Sequence, residues 1–281
     1  MGKSDELGIN RDSLSPFLVI SNFNTFPAEL IEISSRWILY DVSTEEKVIN
    51  QLKNLHDERV IFNTKKNVGH NLVNYLTYII DNYNNLPRTI AFIKGNIIGR
   101  HCSREWLMNS LNGNSYAFLY EDKDLKEKKN VQYLLYPSKY IEVNNSWFAW
   151  SHPHRFFTNL NDFLSLLFED YKPSEYVMFA PGACYVVERE RICRYPRSFW
   201  QGIRLLIQYD YRVAEAFFLE RSLNIIFDAK YKLKEYTYDF ERFKTVIDGL
   251  PDLSAEQKSK SSETVMRKVR FKLIELLSNH K

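Results

Sequence analysis

Short apolar runs, each ending in a polar residue, organise the first hundred residues. Residues 17–21 follow Pro16 and read as a buried first strand. Residues 37–40 repeat the pattern and are followed at once by Asp41. Residues 60–62 make a third run that ends in the polar stretch 63–67, and residues 89–93 a fourth that ends in Lys94-Gly95-Asn96. Between the second and third runs, 44–55 reads as a helix with Ser43 or Thr44 placed to cap it. After the third, Asn67-Val68-Gly69-His70 leads into Leu72, Val73, Leu76, Ile79 and Ile80 at helical spacing. That helix should stop at 82–85, ahead of Pro87.

Strands alternating with helices predict a mainly parallel sheet, with a ligand beyond the carboxyl ends of its strands. Asn22, Asp41, Asn67 and Lys94 fall at those ends. Farther along, 132–136, 147–150 and 176–187 read as strands or strand-like pieces, 161–168 as a short helix, and 198–209 and 211–227 as longer ones. The charged run 121–130 reads as a solvated loop, and 254–277 alternates basic and apolar residues at helical spacing. No repeat or flexible linker interrupts the pattern. The expected organisation is a tail over 1–15, one α/β domain over 16–230, and a helical C-terminal extension over 231–281.

Composition narrows the function classes. A chain of 281 residues, 44% hydrophobic, can bury a substantial core. Its 38 basic and 35 acidic residues leave a formal charge of +3, too balanced to indicate a nucleic-acid binder. Cys102, Cys184 and Cys193 are odd in number and lack close metal-type spacing, which argues against a disulfide framework or a zinc knuckle and for a reducing compartment. The first residues lack an apolar signal core, and no run approaches the roughly 20 apolar residues that span a bilayer. A soluble, cytoplasmic protein is expected. The 18 Tyr and 19 Phe suit half-buried strand positions and also sugar-stacking surfaces.

The strongest local chemical signal is Lys66-Asn67-Val68-Gly69-His70-Asn71 at the start of a helix. A glycine at a strand–helix turn lets the backbone approach a ligand, and the helix's free amides favour phosphate. The Gly-Lys-Ser/Thr ending of a Walker loop and the three glycines of a Rossmann fingerprint are both missing. Glu220, beside Phe217, Phe218 and Leu219, is placed to act as a partly desolvated base, or to pair structurally with Arg221. His152-Pro153-His154-Arg155 lacks the acid or cysteine that would complete a metal set, and reads as a loop at an acceptor or phosphate site. Asp122-Lys123-Asp124 has the letters of a metal-binding Asp-x-Asp but sits in the charged run.

Taken in order, several stretches resemble GT-A glycosyltransferases. These are Asp41 at a strand end, the Asn67–Gly69 turn, Asn82-Tyr83-Asn84-Asn85-Leu86-Pro87, and Ala91-Phe92-Ile93-Lys94-Gly95-Asn96. With residues 179–187 and 218–227 they are similar to a family of glycosyltransferase-like proteins known only as a domain of unknown function. The resemblance spans most of the chain, roughly residues 17–227. It implies an α/β, GT-A-like fold and transfer of a sugar from a nucleotide-diphosphate donor to a carbohydrate acceptor. It puts Asp41 on the donor's base or ribose and Gly182, in Pro181-Gly182-Ala183, on the acceptor side. It makes Glu220 the base of an inverting reaction.

The chain departs from that pattern where Asp-x-Asp would hold a divalent metal, having Lys94-Gly95-Asn96 instead. A lysine cannot ligate a hard cation, but it can neutralise a diphosphate directly. The expectation is metal-independent transfer without a cofactor, with Lys94 or Arg100 as electrostatic partner. Asn22, Asn67, Gly69, His70, Asn96, His101 and Arg104 join them on the donor side, and His152, His154, Arg155 and Arg221 join Gly182 on the acceptor side. The basic helix carrying Lys258, Lys260, Arg267, Lys268, Arg270 and Lys272 could rest on an anionic membrane or pack on the domain. Two other classes compete: a non-catalytic nucleotide- or carbohydrate-binding module of the same fold, and a metal-dependent hydrolase or nucleotidyltransferase using Asp122, Asp124 and the His152 region.

Overall fold

The computed structural model describes residues 15–63, 67–121, 133–136 and 139–254. Residues 1–14 of the tail, Lys66, Asp122, Asp124 and the basic stretch 258–272 lie outside the described residues. In chain order the elements begin with β1 (Phe17–Asn22), α1 (Ala28–Ile33), β2 (Trp37–Asp41), α2 (Glu46–Lys53) and β3 (Val60–Phe62). They continue with α3 (His70–Asp81), β4 (Thr89–Lys94), α4 (Arg104–Leu111) and β5 (Tyr116–Phe118). Next come β6 (Tyr133–Tyr136), β7 (Lys139–Val143), α5 (Leu160–Leu167), β8 (Tyr176–Phe179) and β9 (Tyr185–Glu188). The last are α6 (Arg189–Cys193), α7 (Arg197–Ile207), α8 (Ala214–Asp228) and α9 (Phe240–Asp248).

A six-stranded mixed sheet runs β3-β2-β1-β4-β9-β5, and a three-stranded antiparallel sheet runs β6-β7-β8. The first four strands of the large sheet are parallel neighbours, and β9 is antiparallel to both β4 and β5. The register sets Asn22 beside Asp41 and Ser21 beside Lys94, so the polar ends that the sequence pattern marks share one rim. Successive residues of a strand face opposite sides. Leu18 and Ile20 accordingly enter a core with Ala91 and Ile93, and Val19 enters another with Ile90 and Phe92. Helices cover both faces, which is why the central strands are apolar throughout rather than alternating.

Three readings from the pattern change. Residues 147–150 are not a strand: Trp147–Ala149 is a single 3₁₀ turn that buries Phe148 against Phe218 on α8. Residues 176–187 split between the two sheets, because Pro181–Ala183 breaks the run with Gly182 at φ +78° and Ala183 at φ +54°. The second helix starts at Glu46, since Ser43 and Thr44 are occupied elsewhere: Ser43 Oγ donates to Asp41, and the Thr44 amide to Asn24 Oδ1. The described part of the C-terminal extension joins the main core. Leu233, Phe243 and Ile247 are buried there, and the Phe243 ring lies so close to Gly202 on α7 that a Cβ would stand 2.1 Å from it. Among the described residues no helix is long and apolar enough to cross a membrane.

Candidate functional site

At the carboxyl rim of β1, β2 and β4 opens a cavity of about 730 Å³, within the usual range for small-molecule sites. Its floor begins at the end of β4. Gly95 packs so tightly on Asn22 that a Cβ would stand 2.1 Å from Asn22 Oδ1. Asn22 Nδ2 in turn donates to Asp41 Oδ1 at 2.8 Å, and Ser43 Oγ donates to the same oxygen at 2.6 Å. Asn22 and Asp41 are both buried and neither lines the cavity. They form a brace beneath the rim, and Asp41 Oδ1 is taken up by Asn22 and Ser43 rather than by the start of α2.

The start of α3 forms the next wall. Gly69 has φ +60°, and a Cβ there would meet Val73 and the Ile207 carbonyl, so glycine is required on both counts. His70, at φ +54°, is also left-handed, a strained conformation for a residue with a side chain. Among the described residues no side chain caps this helix, while Asn67, His70 and Asn71 line the cavity. The positive end of the helix dipole is therefore presented at the site. Asn71 Nδ2 donates to the Gly182 carbonyl at 2.7 Å and ties α3 to the turn between the sheets.

Two imidazoles flank Lys94. His70 Nε2 and His101 Nε2 are buried without a hydrogen-bond partner among the described residues, and both rings line the cavity. Burial first, then the charge of Lys94, lowers each imidazole to about 4. Both are neutral near pH 7. Lys94, Arg100 and Arg212 also line the cavity, and none of them makes an ion pair with another described residue. This side of the cavity offers positive charge and unused polar nitrogen.

The opposite side is built on α8. One Glu220 oxygen accepts from the Gly182 amide, and the other from Arg221 Nη1 at 2.8 Å. Arg221 also bridges to Glu142 on β7 at 2.9 Å, with its guanidinium 4.2 Å from the Phe148 ring centroid and 4.4 Å from that of Phe179. One buried cation thus serves two carboxylates, and Trp147 Nε1 donates to the second oxygen of Glu142. Glu220 is the more accessible carboxylate, with a side chain 16% exposed against 2% for Glu142.

Among the residues expected from sequence, the cavity brings together Asn67, His70, Lys94, Asn96, Arg100, His101, His152, Gly182, Glu220 and Arg221. Gly69 supports the wall from beneath. Besides Asn22 and Asp41 beneath the rim, three others stand elsewhere. Arg104 opens α4, which turns it outward to Glu29 and Glu32. His154 is buried against Phe218, and Arg155 reaches the surface and pairs with Asp252 at 3.4 Å. The cause is Glu215, fully buried on α8, whose Oε1 accepts from the Arg155 and Phe156 amides and pulls that loop under the helix. Among the described residues, no group of three or more His, Cys, Asp or Glu side chains could hold a metal ion.

Asn71, Tyr120, Tyr140, Glu142, Trp147, Tyr211, Arg212 and Phe217 also line the cavity, and nothing in the local sequence marks them as a set. They come from several strands, helices and loops joined only by the tertiary fold, and Tyr140 and Glu142 lie on a strand that the hydrophobic pattern does not reveal. No curated protein and no solved structure matches the chain. The family model described as protein of unknown function (DUF3431) matches residues 28–238, well over half of the sequence, and the chain belongs to that family.

Proposed function

We propose that this cavity transfers a glycosyl group from a nucleotide-diphosphate sugar to a hydroxyl acceptor, on a fold of the GT-A type. The observation that carries the reading is the division of the cavity. Three cations without an ion pair among the described residues, with two imidazoles whose Nε2 atoms find no hydrogen bond there, occupy one side, and a carboxylate held by two donors occupies the other. The parallel run β3-β2-β1-β4 followed by an antiparallel strand, with the site at the carboxyl rim, supports the choice of fold.

In this chemistry the nucleoside lies along Ser21, Phe23 and Val42 at the ends of β1 and β2. The diphosphate faces Lys94, Arg100 and the start of α3, with His70 and His101 donating N–H to its oxygens. An acceptor oxygen attacks the anomeric carbon as the bond from that carbon to the diphosphate breaks. The acceptor's proton passes to Glu220, and the diphosphate leaves with the bonding pair. Preorganised positive charge stabilises that departure without the carboxylate–metal pair for which Lys94-Gly95-Asn96 leaves no place. Purified protein offered a panel of nucleotide sugars with simple glycoside acceptors, with and without a chelator, tests the reading. Turnover in chelator supports it, and dependence on added metal contradicts the metal-free part.

A second reading has one observation in its favour. Both oxygens of Glu220 already hold hydrogen bonds, which suits a structural carboxylate in a non-catalytic nucleotide-binding module. Tight nucleotide-diphosphate binding without hydrolysis or transfer of any donor would favour it.

A further inference from the structure

The cavity wall around Glu220 is made of flat rings. Phe217 and Glu220 lie three residues apart on α8 and so share one helical face. His152 stacks on Phe217 with centroids 4.1 Å apart and planes 29° apart. Trp147 meets both rings edge-on, at 5.9 Å from Phe217 and 6.0 Å from His152. All three line the cavity, and Trp147 is 37% exposed. The wall is fixed from behind, because Trp147 Nε1 donates to the buried Glu142 and the Arg221 guanidinium lies 5.4 Å from the Trp147 ring. A ligand would find these rings already ordered, which lowers the entropic cost of binding.

Polar groups accompany the rings: the Glu220 carboxylate shares the helix face of Phe217, and the His152 imidazole lines the same cavity with its Nδ1 2.6 Å from Ser151 Oγ. Stacking faces accompanied by such groups match the two surfaces of a pyranose, a C–H face that is effectively apolar and a rim of hydroxyls. A nucleobase could use both the faces and the polar groups, but the rim beside Phe23 and Val42 offers it a separate place at the ends of β1 and β2. We propose that the Trp147–His152–Phe217 wall is the acceptor subsite and takes a pyranose ring, stacked so that one hydroxyl meets Glu220. This rests on the transfer reading above, which gives Glu220 its partner.

The test uses methyl pyranosides of several configurations, with sorbitol as the acyclic control, observed by saturation-transfer NMR in the presence of UDP. UDP affinity is measured separately by calorimetry on the same samples. At least one pyranoside should bind through its ring C–H protons while sorbitol does not. Phe217→Leu and Trp147→Leu should weaken that binding about 10-fold, on the scale of one lost aromatic contact, with UDP affinity kept in Trp147→Leu, since Phe217 also packs on His70. Trp147→Phe, which keeps a ring but loses the bond to Glu142, should retain most of it, and melting curves confirm that each variant is folded. Pyranoside affinity unchanged in both leucine variants, or UDP binding with no pyranoside binding, overturns the subsite. A wild-type protein that binds a pyranoside on this wall but not UDP overturns the donor reading and leaves the subsite standing. Failure of both ligands overturns both.

Discussion

Gly182 and Lys94 meet across the floor of the cavity, so closely that a Cβ on Gly182 would stand 2.7 Å from Lys94 Cδ and 3.2 Å from His101 Nε2. Gly182 also has φ +78°, donates its amide to Glu220 and accepts from Asn71 through its carbonyl. This one residue therefore touches the cationic side, the carboxylate and the start of α3. Gly182→Ala should cost about 1–2 kcal/mol of stability through left-handed strain alone. It should weaken UDP binding by roughly 10-fold, the equivalent of about 1.4 kcal/mol, by displacing Lys94. Urea unfolding and calorimetric titration read the two effects, and an unchanged UDP affinity would show that Lys94 does not face the diphosphate.

The imidazoles give the site a pH dependence of defined sign. His70 and His101 sit near 4 in the folded protein, against 6.5 for an exposed imidazole. A bound diphosphate favours the charged form of each and raises both. Binding should then take up protons, and affinity should rise as pH falls from about 8 toward 5. A nucleotide-sugar diphosphate diester such as UDP-glucose has no group titrating in that window, so its calorimetry in two buffers of different ionisation enthalpy reads the uptake cleanly. His70→Asn and His101→Asn should each reduce it, and the absence of uptake in the wild type would contradict the placement of the anion. Without ligand the linkage runs the other way for stability. The unfolded chain binds protons at 6.5 that the folded chain refuses until 4, so stability should decline as pH falls through that interval.

Arg221 is predicted to matter first for folding. It is buried, and its removal would strand Glu142, a carboxylate only 2% exposed, with no cation. Arg221→Met should therefore destabilise the protein by about 3–5 kcal/mol, the usual result of breaking one side of a buried pair. The double change Arg221→Met with Glu142→Gln should recover part of that loss in urea unfolding. A single variant as stable as the wild type would mean that the triad is not desolvated.

Gly202→Ala serves as the contrasting case. It presses a methyl into the Phe243 ring on the far side of α7, so an overpacking cost of about 1–3 kcal/mol is expected. UDP affinity in the folded variant should match the wild type. A loss of affinity comparable to that of Gly182→Ala would mean that binding reports global stability rather than the site.

The parallel half of the fold was legible because β1, β2 and β4 are buried on both faces and carry the continuous apolar runs that such strands need. The turn at Gly69 was legible because glycine there answers both a positive φ and a close approach. What stayed hidden either leaves only a weak local pattern or depends on distant contacts. Ser103 caps α4 by accepting from the Trp106 amide, and this short helix has only a weakly amphipathic pattern. Trp147-Phe148-Ala149-Trp150 has the composition of a strand, yet finds its packing on α8 instead. For the site, Glu220 and Lys94 stand out locally, whereas Glu142 and Arg212 join them only through tertiary packing. Asp41 and His154 carry suggestive chemistry, but their partners, Asn22 and the ring of Phe218, hold them inside the fold.

The most direct measurement compares wild type with Glu220→Gln in a transfer assay containing chelator, across a panel of nucleotide sugars and methyl pyranoside acceptors. The proposed chemistry predicts turnover by the wild type and a fall in kcat of about 100-fold or more in the variant, the scale of a lost general base, with UDP affinity unchanged. Full activity of Glu220→Gln, or no transfer from any donor by a wild-type protein that binds UDP, would contradict it.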